Sequence, residues 1–145
     1  MTRGFQAVHL EIHSTIEALD LVQVIAEHLA RTAGIDEDTL HWTAMAVRET
    51  AINAIVHGNK SDPAKLVFMD FTAMPESAPV DFIVRIRDQG NGFDPATIHD
   101  PLTPENVLKS SGRGIFLIRQ FMDDVSIERA PDGGMEVRMV KHLRG

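Results

Sequence analysis

At 145 residues, with 43% hydrophobic and 24% charged side chains, the chain has the size and composition of one globular domain, burying roughly two-thirds of its unfolded surface. A net charge of −7 argues against a general nucleic-acid binder, and no run approaches the roughly 18 apolar residues of a membrane helix. The absence of cysteine excludes disulfides, thiol catalysis and thiolate metal sites, and the opening MTRGFQAVHLEIHS has no secretory h-region, so a cytoplasmic protein without a membrane anchor is expected.

Residues 5–13, FQAVHLEIH, alternate, with Val8, Leu10 and Ile12 on one face and Ala7, His9, Glu11 and His13 on the other. That is the pattern of a half-buried strand. Its His9, Glu11 and His13 suit an exposed sheet face or a subunit contact far better than a metal site. Ser14 or Thr15 is placed to cap a helix over about 16–33, with Gly34 as its stop. Asp36 or Asp38 opens a second helix reaching about Val56 and ending at His57-Gly58-Asn59. Strands are predicted over about 65–73 and 80–88, separated by a loop at Pro75–Pro79. Residues 89–112 are rich in Gly, Pro, Asp and Ser and read as a long loop, which inside a compact domain is usually functional. A third helix over about 113–122 precedes strands at about 124–129 and 135–142, which meet at the turn Asp132-Gly133-Gly134. The order β-α-α-β-β-loop-α-β-β predicts an α+β domain: a mixed, mostly antiparallel sheet with helices on one face.

Three short segments carry candidate chemistry. In the second helix, Leu40, Ala44, Val47, Ala51 and Ile55 form an apolar stripe, while Glu49, Asn53 and His57 recur every four residues on a separate strip. Small neighbours at Ala46, Thr50 and Ala54 leave room beside that strip, although a second solvated edge would look the same. Asp88 shares strand parity with Val80, Phe82, Val84 and Ile86, so its carboxylate points inward and needs donors. DQGNGFDP follows, in which Gly90 and Gly92 permit close backbone approach. In SSGRGIFLIRQF, Gly112 and Gly114 open a helix whose free N–H groups suit phosphate. Neither segment is a P-loop or a Rossmann fingerprint. Each signal is ordinary alone; their order and spacing together point to one nucleotide site.

In the order and spacing of these segments, the chain resembles the gyrase, heat-shock-chaperone, histidine-kinase and MutL ATPase superfamily. Within it the chain is similar to the bacterial anti-sigma-factor serine kinases. RETAINAIVHGN resembles their asparagine box, DQGNGFDP and SGRGIFLI their two glycine boxes, and FMDDVSI with the terminal KHL their close. The similarity spans almost the whole chain. It implies a Bergerat fold, a two-layer α/β sandwich, as one domain over 1–145 with a lid at about 94–111. It implies ATP or ADP and Mg²⁺ as cofactors, with Glu49 as general base and Asn53 as metal ligand. Asp88 would bind the adenine amino group, Gly90, Gly92 and Phe93 would shape the base pocket, and Ser111, Gly112 and Gly114 would cradle phosphate. Ser110 stands where family members often carry a basic residue, so either Lys109 or Arg113 meets phosphate. Glu49, where histidine kinases usually have Asn, favours serine phosphorylation or hydrolysis over histidine autophosphorylation.

The resemblance therefore implies an ATP- and Mg²⁺-dependent anti-sigma factor that phosphorylates a serine of a STAS-type anti-anti-sigma protein, sequesters a sigma factor and forms a homodimer. It implies no direct nucleic-acid partner. The alternative is a nucleotide-gated protein-binding switch without efficient phosphotransfer.

Overall fold

The computed structural model describes residues 5–73, 81–90, 118–131 and 133–142. Among these, five strands form one sheet: β1 (Phe5–His13), β2 (Leu66–Ala73), β3 (Asp81–Arg87), β4 (Asp124–Arg129) and β5 (Met135–His142). Their spatial order is β1-β2-β3-β5-β4, and every pairing is antiparallel. The last strand in sequence thus lies inside the sheet, between β3 and β4. Strict alternation sets which face is inside. Val67, Met69, Phe71 and Ala73 of β2 and Phe82, Val84 and Ile86 of β3 are buried, while the intervening residues are half-buried or exposed. Across the ladder Phe71 opposes Val84 and Ala73 opposes Phe82, and the two Phe rings lie 6.4 Å apart. This inner face carries the core, with Met139 of β5 joining it.

Two helices cover it. α1 (Leu19–Ala33) follows a short 3₁₀ turn at Ile16–Ala18, and α2 spans Glu37–Asn53. α1 buries Val22, Ala26, Leu29, Ala30 and Ala33, spaced for one helical face, and Gly34 ends it at φ 107°, a left-handed stop. Asp36 caps α2 by accepting from the Thr39 N–H at 2.9 Å. The expected apolar stripe is the buried face of α2: Leu40, Ala44, Val47 and Ala51 are each no more than 3% exposed, and Ile55 beyond the helix continues it. Arg48 bridges the helices at their solvent edge, donating to Asp20 and Gln23 at 3.0 Å.

The start of the first helix differs from expectation. Neither Ser14 nor Thr15 caps it: Thr15 precedes the 3₁₀ turn without a side-chain bond, and Ala18 precedes α1 without one. The Ser14 hydroxyl instead donates to the Lys65 carbonyl at 2.8 Å and receives the Asn59 amide at 2.8 Å, so it is consumed across the sheet. Of the third predicted helix, residues 118–121 are helical; 113–117, the 75–79 loop, residue 80 and Asp132 lie outside the described residues.

The sheet face away from the helices carries His9, whose ring bonds Asp70 at 2.6 Å and Glu11 at 3.3 Å, and His142, which bonds Asp81 at 2.8 Å. Bonding to Asp70 and then Glu11 raises the His9 pKa above its usual 6.5; Asp81 does the same for His142. Because the folded values lie above the unfolded one, this stabilisation is complete below about pH 6.5 and is lost as pH rises through the folded values. All these side chains are exposed, so the effect is small and salt-screened. Thermal unfolding is therefore expected to show a slightly lower midpoint at pH 8 than at pH 6, and a His9→Gln/His142→Gln double variant is expected to flatten that slope.

Candidate functional site

α2 presents Glu49 and Asn53 one turn apart, both half-buried. Thr50, between them in sequence, is buried, with its Oγ1 2.8 Å from the Ala46 carbonyl and 3.3 Å from Met139 Sδ on β5. The polar strip thus runs beside the line along which α2 rests on the sheet. No hydrogen bond to another described residue engages the Glu49 carboxylate or the Asn53 amide, leaving their oxygens available. After Asn53 the helix widens into a π turn over Ala54–Gly58, closed by the Asn59 N–H on the Ala54 carbonyl at 2.8 Å. Such widenings recur at functional sites because they reset which residues face inward. Here the widening leaves His57 exposed and directs Gly58 and Asn59 toward the end of β3. His57 therefore does not continue the strip.

Asp88 lies one residue beyond β3 and is 5% exposed, pointing inward as its strand parity predicts. Its Oδ1 accepts from the Gly90 N–H at 2.9 Å and the Met135 N–H at 3.2 Å, and its own N–H donates to the Met135 carbonyl at 3.1 Å. Three glycines close around it. A Cβ on Gly58 would overlap the Asp88 carboxylate at Oδ2, one on Gly90 would overlap the Gly58 carbonyl, and one on Gly134 would overlap the Asp88 carbonyl. The acceptor is framed by bare backbone from the end of α2, the turn after β3 and the start of β5.

Asn59 locks this frame and is completely buried. Its Nδ2 donates to Ser14 Oγ at 2.8 Å and to the Leu66 carbonyl at 3.0 Å, and its Oδ1 accepts from the Gln89 N–H at 2.7 Å. Gln89 Oε1 in turn accepts from the Leu66 N–H at 2.7 Å. Asn59, Leu66 and Gln89 thereby form a head-to-tail ring of hydrogen bonds beside Asp88.

The structure brings Asp88 and Gly90 against the end of the helix that bears Glu49 and Asn53. Gly92, Phe93, Lys109, Ser111, Gly112, Arg113, Gly114 and the lid at 94–111 lie outside the described residues. Sequence reasoning missed Gly58, Gly134 and the inward role of Asn59. Gly58 and Asn59 adjoin the polar strip, which was a usable signal; Gly134 read only as a turn residue. Trp42 stacks on Phe121, with centroids 4.8 Å apart and planes 10° apart, tying α2 to the helical turn at 118–121. Among the described residues no group of three His, Asp or Glu side chains forms a metal cage, and His9 and His13 bond Asp70, Glu11 and the Pro63 carbonyl.

Comparison with known proteins places this geometry. Residues 12–141 match the family model for a histidine kinase-like ATPase domain. The anti-sigma F factor of Bacillus subtilis is 31% identical over 138 residues, covering 94% of this chain and 92% of its own. The serine-protein kinase RsbW of Staphylococcus aureus is 24% identical over 144 residues, covering 94% and 87%. Among solved structures, the RsbU and RsbW domains of a Mycobacterium tuberculosis protein superpose with a TM-score of 0.66 at 15% identity. That match covers 97% of this chain and 34% of the solved one, so the chain spans about a third of that protein, and the likeness is one of fold.

Proposed function

Because the chain belongs to the histidine kinase-like ATPase domain family and is akin to anti-sigma F factors, we propose that it is an ATP-dependent protein-serine kinase that also acts as an anti-sigma factor. It transfers the γ-phosphate of ATP to a serine of a STAS-type anti-anti-sigma protein, and it sequesters a sigma factor. One observation carries the reading: a buried carboxylate gripped by backbone, Asp88, is joined through Gly58 and Asn59 to the helix that holds Glu49 and Asn53.

The residues present fit a nucleotide. A buried acceptor framed by glycine backbone suits a flat ring bearing an amino group, which Asp88 would bind. The Asn53 amide oxygen suits magnesium, a hard cation that takes oxygen ligands and keeps several waters rather than requiring a protein cage. Held there, the ion would supply neutralisation of the charge that develops on the phosphates. Glu49, one turn before Asn53, would accept the proton of the attacking serine hydroxyl. The serine oxygen forms a bond to the γ-phosphorus, the bond from that phosphorus to the β-γ bridging oxygen breaks, and ADP leaves with the electron pair. Gly92 and Phe93 would complete the base pocket; Ser111, Gly112, Gly114 and either Lys109 or Arg113 would meet phosphate beneath a lid at 94–111.

The sheet face opposite the helices is the proposed homodimer surface, within a single domain. There the Arg87 guanidinium stacks over Phe68 at 4.7 Å and its buried Nε has no partner among the described residues. No helix among the described residues is long and apolar enough to cross a membrane; a cytoplasmic regulator fits this reading.

Incubation with ATP, Mg²⁺ and a STAS-type partner is expected to yield phosphoserine on the partner, and chelation of Mg²⁺ is expected to stop it. Tight nucleotide binding with persistent absence of transfer would instead identify a nucleotide-gated binding switch.

A further inference from the structure

We propose that Asn59 is a positioning residue for base recognition: through its hydrogen-bond ring it holds Asp88 at the place where the purine amino group is read. The inference rests on the reading of Asp88 as the base acceptor. Asn59 uses both amide hydrogens and its oxygen, and its partners come from three separate segments: Ser14 after β1, Leu66 at the start of β2, and Gln89 after β3. Its backbone is pinned as well, since its N–H closes the π turn on Ala54 and its carbonyl accepts from the Asp62 N–H at 3.0 Å. The bond to Gln89 fixes the peptide plane that immediately follows Asp88. The residue before Asn59, Gly58, is the one whose backbone lies against the Asp88 carboxylate and against Gly90. A shift at Asn59 therefore moves the acceptor from both sides.

A general packing role and a positioning role differ in what they change. Loss of packing would lower stability and weaken every nucleotide alike. Loss of positioning removes the gain from the purine amino group alone, because a site built to hydrogen-bond a group discriminates against ligands that lack it. The test is equilibrium binding of ATP and of purine riboside 5′-triphosphate, which lacks the 6-amino group, to the full chain and to three variants. Asp88→Asn tests the underlying reading and is expected to erase the preference for ATP. Asn59→Ser, too short to span Leu66 and Gln89, is expected to weaken ATP by about tenfold, the equivalent of one lost hydrogen bond, with the analogue within about twofold. Gln89→Ala opens the same ring at an exposed side chain and is expected to reduce the preference in the same direction. An unchanged preference in Asp88→Asn sinks the reading of Asp88. A preference lost in Asp88→Asn but unchanged in whichever ring variant folds overturns the role of Asn59.

Discussion

Glu49→Gln is expected to lower phosphotransfer by about 10²–10⁴-fold while nucleotide still binds, the range lost when a positioned general base is removed. The substitution is close to isosteric, and among the described residues no hydrogen bond to the Glu49 carboxylate would be broken, so folding should be untouched. Glu49 and Asn53 share a face of α2 one turn apart, which would put the base beside the phosphate end of the nucleotide and away from Asp88. Single-turnover transfer from labelled ATP to the serine partner measures the chemical step, and a nucleotide titration on the same sample measures binding. A rate within a few-fold of the parent would remove Glu49 from the base role. Equal loss of binding and rate would assign it to the ground state instead.

The second large effect is expected at Gly134. A methyl group there meets the Asp88 main-chain carbonyl, and no rotamer change relieves a clash of backbone with backbone. The neighbouring Met135 both donates to Asp88 Oδ1 and accepts from the Asp88 N–H, so displacement of residue 134 carries the acceptor with it. Gly134→Ala should destabilise by about 1–3 kcal/mol, as overpacking does, and weaken ATP by more than that loss of stability explains. The adjacent Gly133 supplies the control. It sits at φ 105° with open space where a methyl group would go, so Gly133→Ala should cost about 1–2 kcal/mol of backbone strain and leave nucleotide affinity intact. Thermal unfolding paired with ATP titration separates the two. Equal affinity losses in both variants would mean that the collar around Asp88 does not govern the site.

Much of the scaffold is written locally. β1, β4 and β5 lie where alternation and the turn at Asp132-Gly133-Gly134 place them, and β2 and β3 lie within one residue of expectation at each end. The buried stripe of α2 follows from 3.6-residue spacing, and of the two candidate opening residues, Asp36 and Asp38, the structure selects Asp36. The inward aim of Asp88 was legible because strand parity alone decides it. What was hidden depends on groups distant in sequence. Ser14 has the chemistry of a cap, but a buried amide from Asn59 competes for its hydroxyl and wins, since an unsatisfied buried amide is costly. Gly134 is indistinguishable from any hairpin glycine until Asp88 is seen behind it. The π turn after Asn53 has no short-range marker, although His57 and Gly58 do lie at the helix end as the sequence suggested.

If Asp88 reads the base, as proposed, the collar around it also sets when in the life of the molecule nucleotide recognition can begin. Its parts come from positions 58, 90 and 134, and β5, made after β4, lies in the sheet between β3 and β4. Contacts so distant in sequence form late, after the chain that separates them has been made and collapsed. A chain still emerging from the ribosome, with β5 unmade, has the residues of α2 but no framed acceptor. On the proposed role of Asp88, a copy that lacks β5 would have no framed acceptor with which to draw on the nucleotide pool.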